Sequence, residues 1–216
     1  MTTPLKIAVY AIALNEAKHA ARWAKACAGA DVRLVADTGS TDGTQDLLRA
    51  EGVTVHEITV KPWRFDVARN AALALVPGDV DVCVSVDLDE VPEEGFFDKL
   101  RAAWTPGTQR AWVNFDTGTV WQNNNRVHAR QGYRWVCPCH EVPQAYHGLP
   151  ENAVTVEALI RHQPDNSRAR TAYLPLLELA AREAPKDARM WTYLTREYRF
   201  RGEHKQVLRC AAERQN

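Results

Sequence analysis

Apolar positions along the first hundred residues follow two different periods. Short apolar runs of strand length are separated by stretches in which apolar residues repeat every three or four positions. The runs predicted as strands are 6–13, 32–36, 53–60 and 80–86, and the segments predicted as helices are 16–28, 45–50 and 66–75. This alternation favours a mostly parallel sheet that is covered by helices.

The pattern changes twice beyond residue 100. Residues 111–121 and 126–136 are rich in valine and aromatic residues, which predicts two further strands separated by a polar turn at 122–125. From residue 167 the apolar positions repeat at helical spacing. We therefore expect an α/β domain over residues 1–166 and a small α-helical segment over 167–216.

Composition narrows the class of protein. The 216 residues contain 27 Lys and Arg against 27 Asp and Glu, so no overall charge favours nucleic acid or an anionic membrane as partner. No run approaches the roughly 18 apolar residues that a membrane-spanning helix needs. Five cysteines without a framework of spacings predict a reducing compartment, and we expect a cytoplasmic protein.

Two aspartates follow directly after the fourth predicted strand. Asp87 and Asp89 are two positions apart, so an extended backbone directs both side chains to one side and Leu88 to the other. Carboxylates at the end of a buried strand are the oxygen ligands that Mg²⁺ and Mn²⁺ prefer. The structural alternative is a solvated polar loop.

Three loops should converge on one edge of the predicted sheet. Right-handed crossovers bring together the ends of strands one, two and four, and therefore Asn15 and Glu16, the loop 37–44, and the two aspartates. The chain has neither common glycine-rich phosphate loop, which disfavours ATP hydrolysis and dinucleotide redox chemistry. Carboxylates in the first two loops suit a base and ribose, and a cation on the aspartate pair suits a diphosphate. This combination predicts a nucleoside diphosphate that carries a leaving group.

Four motifs, in this order and spacing, resemble the GT-A glycosyltransferases, in particular family 2. They are A-L-N-E at 13–16, D-T-G-S-T-D-G-T at 37–44, F-D-V-A-R-N at 65–70 and D-L-D-E at 87–90. The resemblance implies a Rossmann-like GT-A sheet, a nucleotide-sugar donor with a UDP-sugar favoured, and a Mn²⁺ or Mg²⁺ ion. The donor-side residues that it implies are Asn15, Glu16, Asp37, Ser40, Asp42, Arg69, Asp87 and Leu88.

The resemblance also implies roles on the metal and acceptor sides. Asp89 would be the main metal ligand and in that sense catalytic, with Asp87 and the later His162 as further ligands. His140 and Trp135 would lie on the acceptor side. Inversion at the anomeric carbon needs a base for the acceptor proton, and Glu141 is our candidate for it.

Each of these residues also has a structural alternative. Asp37 and Asp42 lie next to glycine and small hydroxyl residues, where an aspartate often hydrogen-bonds the backbone of its own turn. Arg69 could be a solvated helix residue, and the histidines could be hydrogen-bonded structural residues. The tryptophans, Trp135 among them, could pack within the sheet rather than stack on a sugar.

The helical segment resembles a tetratricopeptide repeat. Its signature is Trp191, Leu194 and Tyr198 after Ala184 and Pro185. One repeat cannot bury its own face, so we expect further helices beyond residue 216, an oligomer or a partner that packs there, or simple packing on the α/β domain.

The motifs and the resemblance together predict a metal-dependent glycosyltransferase, and inversion is what the resemblance implies. Protein, glycan, lipid-linked glycan and modified nucleic acid all stay open as acceptors. A nucleotidyltransferase is disfavoured because that class opens with a glycine-rich loop and a basic residue, where this chain has A-L-N-E. The alternative outside enzymes is an adaptor that binds nucleotide in a catalytically silent GT-A domain.

Overall fold

The computed structural model describes residues 4–118, 121–146, 151–165 and 173–213. Its strands are β1 (Ile7–Ala13), β2 (Val32–Asp37), β3 (Thr54–Glu57), β4 (Val82–Ser85), β5 (Glu90–Pro92), β6 (Arg110–Asp116), β7 (Trp121–Ala129), β8 (Tyr133–Val136), β9 (Val142–Ala145) and β10 (Ala153–His162). Its helices are α1 (Ala17–Ala26), α2 (Thr44–Ala50), α3 (Phe65–Leu75), α4 (Phe96–Ala103), α5 (Leu174–Glu183), α6 (Ala188–Phe200) and α7 (His204–Glu213). Within these ranges no helix combines the length and the apolar character that crossing a bilayer requires.

An eight-stranded mixed sheet forms the centre of the molecule. Its strand order is β3-β2-β1-β4-β7-β6-β10-β5, and a separate hairpin pairs β8 with β9. The first four strands are parallel, as is the pair β6 and β10, whereas β7 and β5 run antiparallel to their neighbours. The predicted fold class, an α/β domain with a mostly parallel sheet flanked by helices, is confirmed.

Alternation along β1 explains how the sheet is covered on both faces. Ile7 and Val9 point into a core that also contains residues of α1, α2 and α4. Ala8 and Tyr10 point into a second core with residues of α3 and with Trp135 from β8. Strand β1 is buried on both faces, which is why it reads as a continuous apolar run.

The strands and helices predicted over the first hundred residues are present, with shifts of a few residues at their ends, and the short strand β5 was not predicted. The first departure from the prediction is the polar segment 122–125. It was predicted as a turn, but it lies inside β7. The chain instead reverses between the end of β6 and the start of β7, and the two strands pair in antiparallel register. A polar segment can occupy a strand because its backbone groups, not its side chains, form the ladder. The single strand predicted over 126–136 is therefore wrong: β7 ends at Ala129 and β8 is a separate strand.

Helices α5, α6 and α7 pack around their own apolar core. Its buried members include Leu177, Leu194 and Tyr198, and Cys139 from the α/β domain joins them. The side chain of Asp187 caps α6 by accepting from the N–H of Arg189, as its place before the helix predicts. The predicted domain boundary at 166/167 lies outside the described residues.

Candidate active site

The ends of β1 and β2 carry two loops that hydrogen bonds join. The N–H of Asn15 donates to the Ser40 hydroxyl at 2.8 Å, and the Asn15 side-chain oxygen accepts from the N–H of Thr41 at 2.8 Å. The N–H of Glu16 donates to the Thr44 hydroxyl at 2.7 Å. Because β1 and β2 are parallel neighbours, both loops leave the sheet at the same edge, as predicted.

Asp37 is fully buried at the end of β2. One of its oxygens accepts from the N–H groups of Gly39 and Ser40 and from the Gln45 side chain, at 2.8 to 3.0 Å. The other accepts from the Ser40 hydroxyl. Asp37 thus holds the loop together through hydrogen bonds, which agrees with the turn-capping alternative. In this conformation its carboxylate is not accessible to a ligand.

Asp42 joins the second loop to the start of α1. Its carboxylate accepts from the N–H of Ala17 at 3.0 Å and from the N–H and hydroxyl of Thr44. Burial by itself would raise the pKa of Asp42, but these hydrogen bonds outweigh it and lower the pKa. A negative charge at the N-terminus of α1 also complements the helix dipole. Asp42 therefore stabilises the loop.

A pocket of about 360 Å³ opens at this edge of the sheet. Polar residues of the predicted site and aromatic residues outside it form its walls. The lining residues are Ile12, Ala13, Leu14, Glu16, Thr38, Trp63, Phe65, Arg69, Asp87, Leu88, Asp89 and Tyr173. The pocket therefore joins the ends of β1, β2 and β4, as the three motifs predict. A larger cavity of about 1060 Å³ lies between the β8–β9 hairpin and α5 and α6, away from the aspartate pair.

Arg69 is a buried member of the site and not a solvated helix residue. Its two terminal nitrogens donate to the two oxygens of Asp87 at 2.7 and 2.9 Å, which is a bidentate pair. Its Nε donates to Glu141 at 2.5 Å, and its guanidinium lies 4.9 Å above the Trp135 ring. Helix α3 therefore presents one cation to two carboxylates from different parts of the chain.

Arg126, on β7, is a second cation at the aspartate pair. One of its terminal nitrogens donates to Asp87 at 3.0 Å and to both oxygens of Glu90 at 2.9 and 3.1 Å. Glu90 in turn accepts from the N–H of Asp87 at 2.8 Å. Strand β7 pairs directly with β4, so the strand register itself delivers Arg126 to the end of β4.

The two carboxylates in this network have opposite pKa shifts. Burial favours the neutral form of Asp87, but Arg69 and Arg126 outweigh it and hold its pKa well below the usual range. Burial raises the pKa of Glu90 to about 7; Arg126 opposes this rise, and the nearby Asp87 charge adds to it. Asp87 is therefore a permanent carboxylate.

Asp89 has different neighbours from Asp87. Its side chain is 29% exposed, and one of its oxygens lies 3.0 Å from Nε2 of His162 at the end of β10. This hydrogen bond raises the pKa of His162 in spite of the partial burial of the ring. The structure therefore brings together two of the three residues that the resemblance implies as metal ligands, although these two lie 73 positions apart.

The side chains at the pair suit a divalent cation that also binds a ligand. Within the described residues, no three His, Cys, Asp or Glu side chains converge as a ready-made metal cage. The ion-paired cluster has four carboxylates and only two arginines, and the fourth carboxylate, Asp89, is paired with His162. Its carboxylates are Asp87, Asp89, Glu90 and Glu141. Mg²⁺ and Mn²⁺ commonly take one or two carboxylates and complete their shell with phosphate oxygens and water, so this donor set fits them.

Three predicted residues lie outside this pocket. Trp135 is 2% exposed, its indole N–H donates to the Tyr10 hydroxyl at 2.7 Å, and it borders the larger cavity instead. Glu141 is paired with Arg69 and does not line the pocket. His140 stacks on Tyr193 of α6 at 3.7 Å, next to the pocket wall and not in it.

Four residues of the site were missed by the sequence interpretation. Arg126 directly follows the four polar residues 122–125, so no local pattern marks it as part of the site. Trp63 lies two residues before α3, and Phe65 is the first residue of α3 and of the recognised motif at 65–70, but neither was assigned to the site. Tyr173 reaches the pocket from the helical segment, and no local pattern indicates such a contact.

Comparisons with known proteins support the fold. No model of a known family matches the chain, and no curated protein matches it. Among solved structures, a mycobacterial protein matches with a TM-score of 0.57 at 17% identity, over 84% of this chain and 74% of that one. Glucosyl-3-phosphoglycerate synthase from Mycobacterium tuberculosis, solved with Mn²⁺, UDP and glucosyl-3-phosphoglycerate, matches with a TM-score of 0.56 at 20% identity, over 87% and 79%. The same enzyme with Mg²⁺ and UDP matches at 0.55 and 19%. These likenesses, together with the sheet order, show that the chain has the GT-A glycosyltransferase fold.

Proposed function

We propose that this protein is a metal-dependent glycosyltransferase that transfers a sugar from a nucleoside diphosphate donor, with a UDP-sugar favoured. The observation that supports this most is the convergence of three loops on one pocket that holds the Asp87–Asp89 pair. The same fold holds UDP and Mn²⁺ in glucosyl-3-phosphoglycerate synthase. A nucleotide-binding domain without turnover is the competing account.

In this proposal Asp89 and His162 hold the cation, and Asp87 lies beside it. Both proposed ligands are half-buried and within hydrogen-bond distance of each other. The cation, when bound, would neutralise the charge that develops on the departing diphosphate. Arg69 lines the pocket and adds a fixed positive charge whose orientation Asp87 and Glu141 set.

The donor-side roles divide between contact and support. Glu16 and Thr38 line the pocket from the first two loops, where a base and ribose would be bound. Asn15, Ser40 and Asp42 fix the loops through hydrogen bonds between them. Glu141 acts in our proposal as the residue that positions Arg69, a role that its 2.5 Å contact supports.

The transfer itself is proposed to invert the anomeric carbon, as in the family 2 enzymes that the motifs resemble. The bond from that carbon to the diphosphate oxygen breaks with its electron pair on the diphosphate. An acceptor atom forms the new bond from the opposite side and loses its proton to a base. The acceptor stays open among protein, glycan, lipid-linked glycan and modified nucleic acid.

Three finer proposals accompany this function. The helical segment is proposed to be tetratricopeptide-like and to pack on the α/β domain, with a partner or a second copy as the alternatives. Membership of family 2 rests on the four motifs. All five cysteines are unpaired in the structure, which supports a reducing compartment such as the cytoplasm.

Slow hydrolysis of the donor tests the function without knowledge of the acceptor. We expect one sugar nucleotide of a panel to release its nucleoside diphosphate with Mn²⁺ present and not with EDTA. Asp89→Asn should lower the rate at least about a hundredfold, since it removes a charge at the proposed cation. Asp46→Asn is the matched control, because Asp46 is 90% exposed on α2. Nucleotide binding without release from any donor would favour the silent domain.

A further inference from the structure

A row of ring contacts runs from the pocket into the helical segment. The ring centroids of Trp63 and Phe65 are 5.2 Å apart, and those of Phe65 and Tyr173 are 5.8 Å apart. The row continues from Tyr173 to His140 at 6.2 Å and from His140 to Tyr193 at 3.7 Å. It therefore joins four parts of the chain: the loop before α3, the turn before β9, the start of α5, and α6.

Three rings of this row line the pocket, and we call Trp63, Phe65 and Tyr173 the aromatic wall. All three are half-buried, so their ring surfaces are only partly covered by the protein. Tyr173 precedes α5, which means that the helical segment supplies part of the pocket. The helices are thus part of the site and not only an appendage to it.

The pocket combines this apolar wall with anionic groups. Glu16, Asp87 and Asp89 line the same space, so a ligand there meets ring surfaces and carboxylates together. A pyranose ring has matching chemistry, because its axial C–H groups form apolar patches and its hydroxyls donate hydrogen bonds around the rim. Aromatic rings bury such patches, and carboxylates accept from hydroxyls.

We propose that the aromatic wall binds a pyranose ring in the pocket. The proposal rests on the glycosyltransferase function and names the chemistry of one of its subsites. The ring has two possible sources, the sugar that the donor carries or a sugar at the acceptor. Both present the same C–H face and hydroxyls, so the experiment has to separate them.

Trp63 and Tyr173 are the residues to change. Phe65 and Tyr173 both pack against the core of the helical segment, so Trp63→Ala is the cleaner change, and Tyr173→Ala counts only if its thermal unfolding matches that of the wild type. Tyr173→Phe keeps the ring and removes only the hydroxyl, so it should restore most of the affinity that Tyr173→Ala loses. Phe200→Ala is the matched control, because Phe200 is 65% exposed on α6 and lies outside the pocket.

Calorimetric titration in Mn²⁺ supplies the readout, with thermal unfolding as the check on folding. The probes are UDP, a panel of UDP-hexoses, and a panel of methyl hexosides added to the UDP-saturated protein. We expect Trp63→Ala and Tyr173→Ala to bind UDP within about twofold of the wild type. If the wall holds the donor sugar, both variants lose about tenfold in affinity for the UDP-hexose that the wild type prefers. If it holds the acceptor sugar, they lose that factor for a methyl hexoside instead.

Either selective loss supports the proposal and identifies the source of the ring. Wild-type affinity of both alanine variants for every probe would overturn it. An equal loss for UDP and UDP-hexose would also overturn it, because the wall would then bind the nucleotide. Failure of the wild type to bind UDP at all would overturn the proposed function and this inference together.

Discussion

Asp87 and Asp89 show how one motif can place two identical side chains in different surroundings. Asp87 accepts from Arg69 and Arg126, whereas Asp89 has His162 as its partner. The difference arises because their partners come from different elements: α3 and β7 for Asp87, and β10 for Asp89. We infer that Asp87 mainly orients the side chains of Arg69 and Arg126, and that Asp89 is the residue available to a metal ion.

Arg126→Met tests whether the arginine pairs of Asp87 stabilise the site. The change leaves Glu90 and Asp87 without one of their cations, and we expect a loss of about 2 kcal/mol in the free energy of unfolding in urea. Donor hydrolysis should fall as well, and Arg126→Lys should restore part of both. Arg101→Met is the control, since its pair with Asp31 is on the surface and should contribute under about 1 kcal/mol. Equal losses for the two methionine variants would contradict a special role for Arg126.

His128 should make stability depend on pH. Its ring is fully buried, donates through Nδ1 to the Ala129 carbonyl at 2.8 Å and accepts through Nε2 from the Tyr10 hydroxyl at 3.1 Å. Burial lowers the pKa of His128 to about 4. The unfolded chain therefore binds a proton near pH 6.5 that the folded chain refuses until about pH 4, so stability falls as the pH decreases through this window.

The expected loss from this one group is about 3 kcal/mol between pH 6.5 and pH 4. Urea unfolding of the wild type and of His128→Gln at several pH values would measure it. The slope of stability with pH should be shallower in His128→Gln than in the wild type, and His56→Gln on the edge strand β3 serves as the control for losing a histidine. Parallel curves for all three proteins would show that His128 is not the cause.

At the scale of elements, the local sequence pattern predicted the buried strands correctly. It failed where pairing with a neighbouring strand, and not the residue's own preference, decides whether a segment forms a strand. Strands β1, β2 and β4 appear in the sequence as apolar runs, and the site residues at their ends were found from them. The polar segment 122–125 becomes part of β7 because residues 122–124 pair with β6, whereas β4 pairs with β7 only further along, at 127–129. Arg126 was missed for the same reason. Tyr173 was missed because its contact with the pocket depends on tertiary packing.

The contact between α1 and α4 provides a prediction at this scale. Gly29 follows α1, and a Cβ added there would lie 2.8 Å from the Phe97 ring of α4. Phe97 is buried, so the ring cannot move away without disturbing the core, and Gly29→Ala should cost about 1 to 3 kcal/mol in urea unfolding. Gly78→Ala is matched, because no atom lies within 4 Å of its added Cβ. Similar stabilities for both variants would contradict the packing.

At the scale of the whole molecule, the helical segment is joined to the α/β domain through several contacts. Arg64 pairs with Glu183 of α5 at 2.7 Å while also holding Asp66, and Cys139 lies in the helical core. The stacking of His140 on Tyr193 adds a third connection. Such shared contacts favour one folding unit over two independent ones.

We therefore expect the two parts to unfold together. Hydrogen exchange followed by mass spectrometry in increasing urea should expose peptides of α6 and of β1 in the same transition. Exchange of the whole helical segment at clearly lower urea, with β1 still protected, would show that the segment is an independent unit. Tyr173 could then not be held in a fixed position in the aromatic wall.

Binding of Mn²⁺ tests the central claim most directly. The described residues supply too few ligands to hold the ion alone, so tight binding should need the phosphate oxygens of a nucleotide. Loss of the free Mn²⁺ signal in electron paramagnetic resonance measures the bound ion. The account predicts about one ion per chain with UDP, little without it, and little with UDP in Asp89→Asn. Absence of UDP-dependent binding in the wild type, or equal binding in Asp89→Asn, would contradict it.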